Sequence, residues 1–432
     1  MLDQDLLPLG LPVVPAAMGS AFAPRAVEAR EPVRERCAEL EGHRGIAILA
    51  IVLFHVYQFC NVSGGLDEGT AGYRVVSNLD AAMPWFFVLT AFLLFDPIAR
   101  SIIEARPPLP ARTFLKRRAV RILPAYYVAV LVVWFPRQHS LPGDWRDLLE
   151  HLTFTQVFDG KRIFYTIGPA SALSVDMYFY VVLAALGIGL TLACRRLTTR
   201  RGRIAVLSIA ISILAAVSLT WKAWSWWIGH RLTTASPTTW YGPTANLDAF
   251  AVGLAVAVIA AAFGPVRPLQ WRGRLVLRLV ALAIVIIAFD TRQADSWSGV
   301  YFYSMCSVGF GCLVAAAVLG PAGDRWSRVL SCGPLTWLGA ISYGVYLWHE
   351  PVMLALRSVD GLVGQAPGAY FRDSAVVLVV SILVGFLSYF FIERPASRIG
   401  SVFNRDGGLT VAPFEAGGVL VEWETFRSGN PL

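Results

Sequence analysis

Apolar runs close to 20 residues long recur along this chain, at roughly 44–62, 79–96, 119–135, 172–194, 204–221, 245–263, 275–290, 299–320, 335–354 and 374–393. A helix rising ~1.5 Å per residue needs about that length to cross a ~30 Å hydrocarbon core. The chain is therefore expected to be all-α, a polytopic membrane protein of about ten transmembrane helices. Composition leaves little else open. Of 432 residues, 56% are hydrophobic and 15% charged, against about 25% charged in soluble domains. The mean hydropathy is +0.57.

The basic residues orient the helices. With the N-terminus placed inside, 27 of the 37 Lys and Arg fall on inner segments and 10 on outer ones. That is the positive-inside asymmetry, and an even number of spans then puts both termini in the cytoplasm. The net charge of +8 is spread over several short loops. It reports topology and argues against a nucleic-acid partner. Residues 1–37, rich in Pro, Ala, Glu and Arg, read as a disordered cytoplasmic tail. Pro8, Pro12 and Pro15 break the apolar core that a secretory signal needs. Residues 401–432 read as a second flexible cytoplasmic tail, leaving 38–400 as one transmembrane domain. The six Cys show no metal-ligand spacing, so they are expected to be small core residues, with no disulfide framework and no metal.

Within the first span, Arg44 and His55 stand eleven residues apart. Eleven helical steps make about three turns plus ~20°, so both side chains share a face, with His55 ~16 Å deeper. Ionisable groups inside a span are functional candidates by default. Arg44, at the cytoplasmic mouth, can hold phosphate through a charge-assisted fork, and a neutral His55 can take a proton from a hydroxyl. A donor with an anionic head and a long, thin reactive arm fits that geometry, and acyl-coenzyme A has that shape. The plainer reading is an interfacial anchor plus a histidine satisfied by a neighbouring helix.

Three other groups stand out. Lys116, Arg117, Arg118 and Arg121 cluster where span three begins, with Pro124 in its first turns. By composition alone this is an anchor for anionic lipid. Asp176 lies about one turn into span four, and His349 and Glu350 near the outer end of span nine, where Tyr346 and Trp348 read equally well as an aromatic belt. Asn246 and Asp248 open span six. In the long outer segment 136–171, Leu148 to Phe158 reads as a re-entrant or interfacial helix.

Over roughly residues 38–400 the chain resembles the acyltransferase 3 family of integral membrane acyltransferases, which includes bacterial O-antigen and exopolysaccharide O-acetyltransferases. The family's Arg-x10-His signature falls on Arg44 and His55. Its Leu-Asp-Gly-Leu-Arg-Gly opening reads Leu40-Glu-Gly-His-Arg-Gly45 here. Its Phe-Phe-Val-Leu-Ser-Gly-Phe-Leu matches Phe86 to Leu93, and its Arg-Arg-x-x-Arg-Ile-x-Pro matches Arg117, Arg118, Arg121 and Pro124. Its Ile-Ser-Tyr-x-x-Tyr-Leu-x-His matches Ile341 to His349, and its Glu-Arg-Pro ending matches Glu393 to Pro395.

The resemblance implies an O-acyltransferase of the bacterial plasma membrane whose donor is cytosolic acyl-CoA, acetyl-CoA first. It makes His55 the candidate general base, Arg44 a donor-positioning residue, and Arg117, Arg118 and Arg121 contacts for the coenzyme's phosphates. Asp176 would orient His55 or hold the acceptor, and His349 would be a second acid–base group. The acceptor implied is a hydroxyl of a cell-envelope or exported glycan, with a secondary metabolite such as a macrolide as the alternative. Any acceptor-handling partner is expected to be a separate chain. Two departures matter: Asp176 stands where the family has Glu, and Thr90-Ala91 replaces a Ser-Gly pair, which questions close helix packing there.

Two competing readings remain. Membrane-embedded Arg, His and Asp also suit a transporter or flippase. His139 and Asp144 have the His-x4-Asp spacing of glycerolipid acyltransferases, but they sit in an outer loop away from cytosolic donor and are set aside.

Overall fold

The computed structural model describes residues 31–402, apart from short stretches at 61–68, 138–143, 232–235, 264–267, 294, 321–322, 365 and 367. Most of both expected tails, and His139, lie outside the described residues. No strand occurs among the described residues. The principal helices are α1 (Glu31–Cys60), α2 (Ala82–Ile103), α3 (Ala111–Arg137), α4 (Trp145–Leu152), α5 (Ala170–Cys194) and α6 (Arg200–Ala223). They continue with α7 (Leu247–Phe263), α8 (Trp271–Thr291), α9 (Trp297–Val318), α10 (Gly333–Ala340), α11 (Ser342–Ser358) and α12 (Ala369–Ser388).

Among the described residues, eight helices are long and apolar enough to cross a membrane, against the ten runs read from the sequence. The other two runs are helical but differ in kind. Helix α8 carries Arg272, Arg274 and Arg278 in its first turns, which shortens its uniformly apolar part. The run at 335–354 is broken at Ile341 into α10 and α11. The outer segment also departs from a single re-entrant helix. It forms α4, turns at Phe154 in the left-handed region (φ 60°), and continues as a 3-10 turn over Thr155–Phe158. Tyr126 and Tyr127 of α3 donate to the His151 and Leu152 carbonyls (2.8 and 3.2 Å), docking this segment, called the outer cap after the expected topology, onto the bundle. Asp144 caps α4 through the Asp147 N–H and pairs with Arg162 at 3.1 Å, a structural role.

Helix α7 runs through the middle of the bundle, with 72% of its apolar window buried, whereas the α6 window is 17% buried and lies at the rim. The substitution of Ala91 for a family glycine does not loosen the core. A Cβ on Gly253 of α7 would stand 2.3 Å from the Val88 carbonyl oxygen and 2.6 Å from the Ala91 side chain. The glycine that permits close approach is on the facing helix. In the first half of α1, a Cβ on Gly339 would meet the Glu41 carbonyl oxygen at 2.0 Å, so α10 lies backbone to backbone against the segment that carries Arg44.

Two groups of buried charged residues are paired. Lys222 of α6 contacts Asp248 of α7 (2.8 Å) and Ser304 of α9 (2.7 Å), and Ser218 donates to the other Asp248 oxygen (3.0 Å). Near the start of α8, Arg274 contacts Glu39, Asp324 and Ser327, and Arg278 contacts Glu39 and Asp324. Although partial burial works against it, hydrogen bonds from Arg278 and the Ser327 N–H, with the charge of Arg274, hold the Asp324 carboxyl below the usual carboxylate range.

Candidate active site

Continuous helix through α1 places Arg44 and His55 on one face, and α11 brings His349 onto it. His349 Nε2 lies 3.1 Å from His55 Nδ1, with ring centroids 4.8 Å apart. The contact joins residues 294 positions apart in sequence. Helix α11 is fixed by residues three and four positions apart, on one face. Tyr343 O–H donates to the Ile122 carbonyl of α3 and Tyr346 O–H to the Pro169 carbonyl, both at 2.8 Å. Glu350 accepts the Gly168 N–H at 2.5 Å. The aromatic belt reading is thereby replaced: these side chains face inward and clamp α11 between α3 and the outer cap.

The hydrogen-bond partners assign the ring protons. His349 Nδ1 lies 2.7 Å from the Tyr346 carbonyl oxygen, which can only accept, so this nitrogen carries hydrogen. In a neutral ring, Nε2 is then an acceptor, and the atom facing it is His55 Nδ1. That nitrogen also lies 2.9 Å from the Ile51 carbonyl oxygen. Its hydrogen is shared between two acceptors, and the lone pair of His55 is on Nε2.

Around Arg44, away from the histidine pair, lies a cluster of cations. Arg44 is loosely paired with Glu41, at 3.3 and 3.4 Å. Arg118 and Arg121 of α3 are close enough to Arg44 for the three charges to repel, with Glu41 and Glu393 opposing them. Neither Arg118 nor Arg121 has a hydrogen bond or ion pair among the described residues. Arg117 neighbours Arg118 but is exposed. Helix α3 begins at Ala111, so Pro124 stands in its interior and not in its first turns. There its missing N–H costs the helix a backbone hydrogen bond.

No hydrogen bond joins Asp176 of α5 to His55, whose hydrogen bonds go to Ile51 and His349. Asp176 lies in the field of Arg44 and acts on Tyr180 and Tyr346. Its Oδ1 is buried without a hydrogen-bond partner among the described residues.

One polar cluster near the site was not singled out from the sequence. Arg292 grips both oxygens of Asp80 (2.7 and 2.8 Å) and contacts Asn78 (3.1 Å), while Tyr303 O–H donates to Asp80 at 2.7 Å. The charge of Asp80 reaches His55. These residues come from the turn before α2, the end of α8 and the middle of α9, and no local spacing announces them.

The family model described as an acyltransferase domain matches residues 38–392. The chain belongs to the acyltransferase 3 family. It is similar to BcsY of Komagataeibacter xylinus, provisionally named a membrane-bound transacylase, with 26% identity over 379 residues, 84% of this chain and 83% of that one. YrhL of Bacillus subtilis, provisionally named a peptidoglycan O-acetyltransferase, is 25% identical over 84% of this chain and 55% of its own length. The peptidoglycan O-acetyltransferase OatA of Listeria monocytogenes is 22% identical over 85% of this chain and 57% of its own length. The chain thus spans little more than half of these last two relatives. No solved structure matches. As an acyltransferase 3 protein, the chain is a multi-pass membrane enzyme of acyl transfer, and the transporter reading gives way to that finding.

Proposed function

We propose that this enzyme moves an acyl group, acetyl first among them, from cytosolic acyl-CoA to a hydroxyl of a cell-envelope or exported glycan at the bacterial plasma membrane. The observation that carries the reading is the His55–His349 contact at 3.1 Å, set above Arg44, Arg118 and Arg121 on the same side of the bundle. Arg118 and Arg121 have donors free for phosphate oxygens, and guanidinium forks suit such anions. Arg44 joins them by exchanging Glu41 for the donor, with Arg117 at the exposed edge.

The reaction balances with one histidine. The acceptor hydroxyl gives its proton to His55 Nε2 as its oxygen bonds to the thioester carbonyl carbon. The C–S bond breaks, and the coenzyme sulfur takes that proton from the imidazolium. His349 acts through His55: its Nε2 accepts from His55 Nδ1–H and so stabilises the ring while it is charged. The similarity to proteins named for O-acetylation supports an oxygen acceptor, and OatA's name supports a glycan.

Purified protein in nanodiscs, given acetyl-CoA and isolated envelope glycan, is expected to release free coenzyme thiol and acetylate the glycan. Positioned proton transfer contributes ~10²–10⁴-fold, so His55→Ala should lower the rate by about that factor while the protein elutes unchanged on gel filtration. Turnover by the His55→Ala protein at the unmutated rate would overturn the mechanism.

A further inference from the structure

The site holds one buried acceptor atom that the transfer chemistry leaves unused. Asp176 Oδ1 has no hydrogen-bond partner among the described residues. A carboxylate oxygen enclosed without a donor is costly to a fold, and such atoms call for a partner. The neighbours of Asp176 fix its height in the bundle. Helix α5 starts at the outer cap, where the Pro169 carbonyl accepts from Tyr346, one turn before His349. Asp176 lies seven residues on, roughly 10 Å further toward the inner face. One more turn brings Tyr180, beside Arg44, Arg118 and Arg121. Asp176 is therefore on the wall between the cations and the histidine pair.

A donor with its phosphates at the cations and its thioester at His55 spans the height at which this carboxyl lies. Resting on the acyl-CoA reading above, we propose that Asp176 accepts a hydrogen bond from an amide N–H of the donor's pantetheine arm as the arm runs inward from the arginines to His55. That arm carries two secondary amides. Each loses water on entering the bundle and needs a replacement partner, at a cost of about 1–3 kcal/mol if none is found. Asp176 is then a binding residue for the arm, a role distinct from orienting His55 or holding the acceptor.

The test is equilibrium binding by calorimetry on the full chain in nanodiscs, with two probes. Coenzyme A has phosphates and arm; adenosine 3′,5′-bisphosphate has phosphates and no arm amides. The unmutated protein is expected to bind both, coenzyme A more tightly. Asp176→Ala should weaken coenzyme A about tenfold or more, in line with leaving a buried polar partner unpaired, and leave the bisphosphate unchanged. Asp176→Asn, which keeps a carbonyl oxygen, should recover most of the loss. Arg118→Ala should weaken both probes. Unchanged bisphosphate binding also shows that the Asp176→Ala protein is folded. Equal loss for both probes, or no loss for coenzyme A, overturns the assignment while sparing the donor reading. Failure of the unmutated protein to bind either probe overturns the donor reading itself.

Discussion

A histidine within a bilayer serves as a base only if its lone pair faces the substrate, and hydrogen-bond partners decide which nitrogen holds it. In the proposed mechanism His349 makes that choice for His55, much as a carboxylate orients the ring in hydrolase triads. The difference is that a neutral acceptor does it, with no second charge buried. His349→Gln can still present an amide oxygen to His55 Nδ1–H, and His349→Leu cannot. We expect the Leu variant to lose ~10²-fold or more in kcat with little change in KM for the donor, and the Gln variant to recover a substantial part. Nitrogen-15 NMR of labelled histidine should report His55 protonated on Nδ1 in the unmutated protein and a changed tautomer mixture in the Leu variant. Equal kcat in all three proteins would remove His349 from the chemistry. The sequence showed half of this arrangement. Arg44 and His55 are eleven residues apart, and helical periodicity alone aligns them. The His55–His349 contact spans 294 positions, and nothing local encodes it. The same holds for Asp176, whose placement near Arg44 of α1 and Tyr346 of α11 joins three helices and has no local signal.

Helices carry the next level of information, and here the legible part was existence and the illegible part was interruption. Hydropathy finds each apolar run because burial in lipid demands it. It cannot find the break at Ile341, which depends on α10 lying against the backbone of α1 at Gly339, nor the early start of α3 that moves Pro124 into a helix interior. The Ala91 substitution looked like a packing defect because the compensating glycine, Gly253, belongs to another helix. Inter-helix ion pairs are equally invisible to a single-helix reading. Lys222 and Asp248, 3% and 6% exposed, tie α6 to α7 and, through Ser304, to α9. Removing one partner of such a pair strands the other, at a typical cost of 3–5 kcal/mol, whereas replacing both with apolar residues is often nearly neutral. Lys222→Met should therefore lower the melting temperature of the solubilised protein markedly, and the Lys222→Met/Asp248→Leu double variant should recover most of the difference. If the double variant melts as low as the single one, the pair has a role beyond joining helices.

At the scale of the whole molecule, the proposal requires a direction. Open cations must face the cytosol, where acyl-CoA is, and the outer cap held by Tyr346 and Glu350 must face the side from which an exported acceptor arrives. The placement of 27 of 37 basic residues on one set of segments supports that direction. It is a statistical argument, and the site adds a chemical one: Arg118 and Arg121 lie at the end of α3 that follows the basic loop at Arg106, and the histidine pair lies toward the cap that includes Lys161. A single exposed cysteine at either place decides it. In a background without native cysteines, Lys161→Cys should react with a membrane-impermeant maleimide on intact cells. Arg106→Cys should react only after permeabilisation. The reverse pattern would put the arginines outside, where acyl-CoA does not reach them. The histidine pair would keep its geometry, but it would need a donor other than the cytosolic thioester, and the assignments of Arg44, Arg118, Arg121 and Asp176 would fall together. The four assignments are coupled in this way because each is a position along one inward path, so a test of sidedness is also a test of the path.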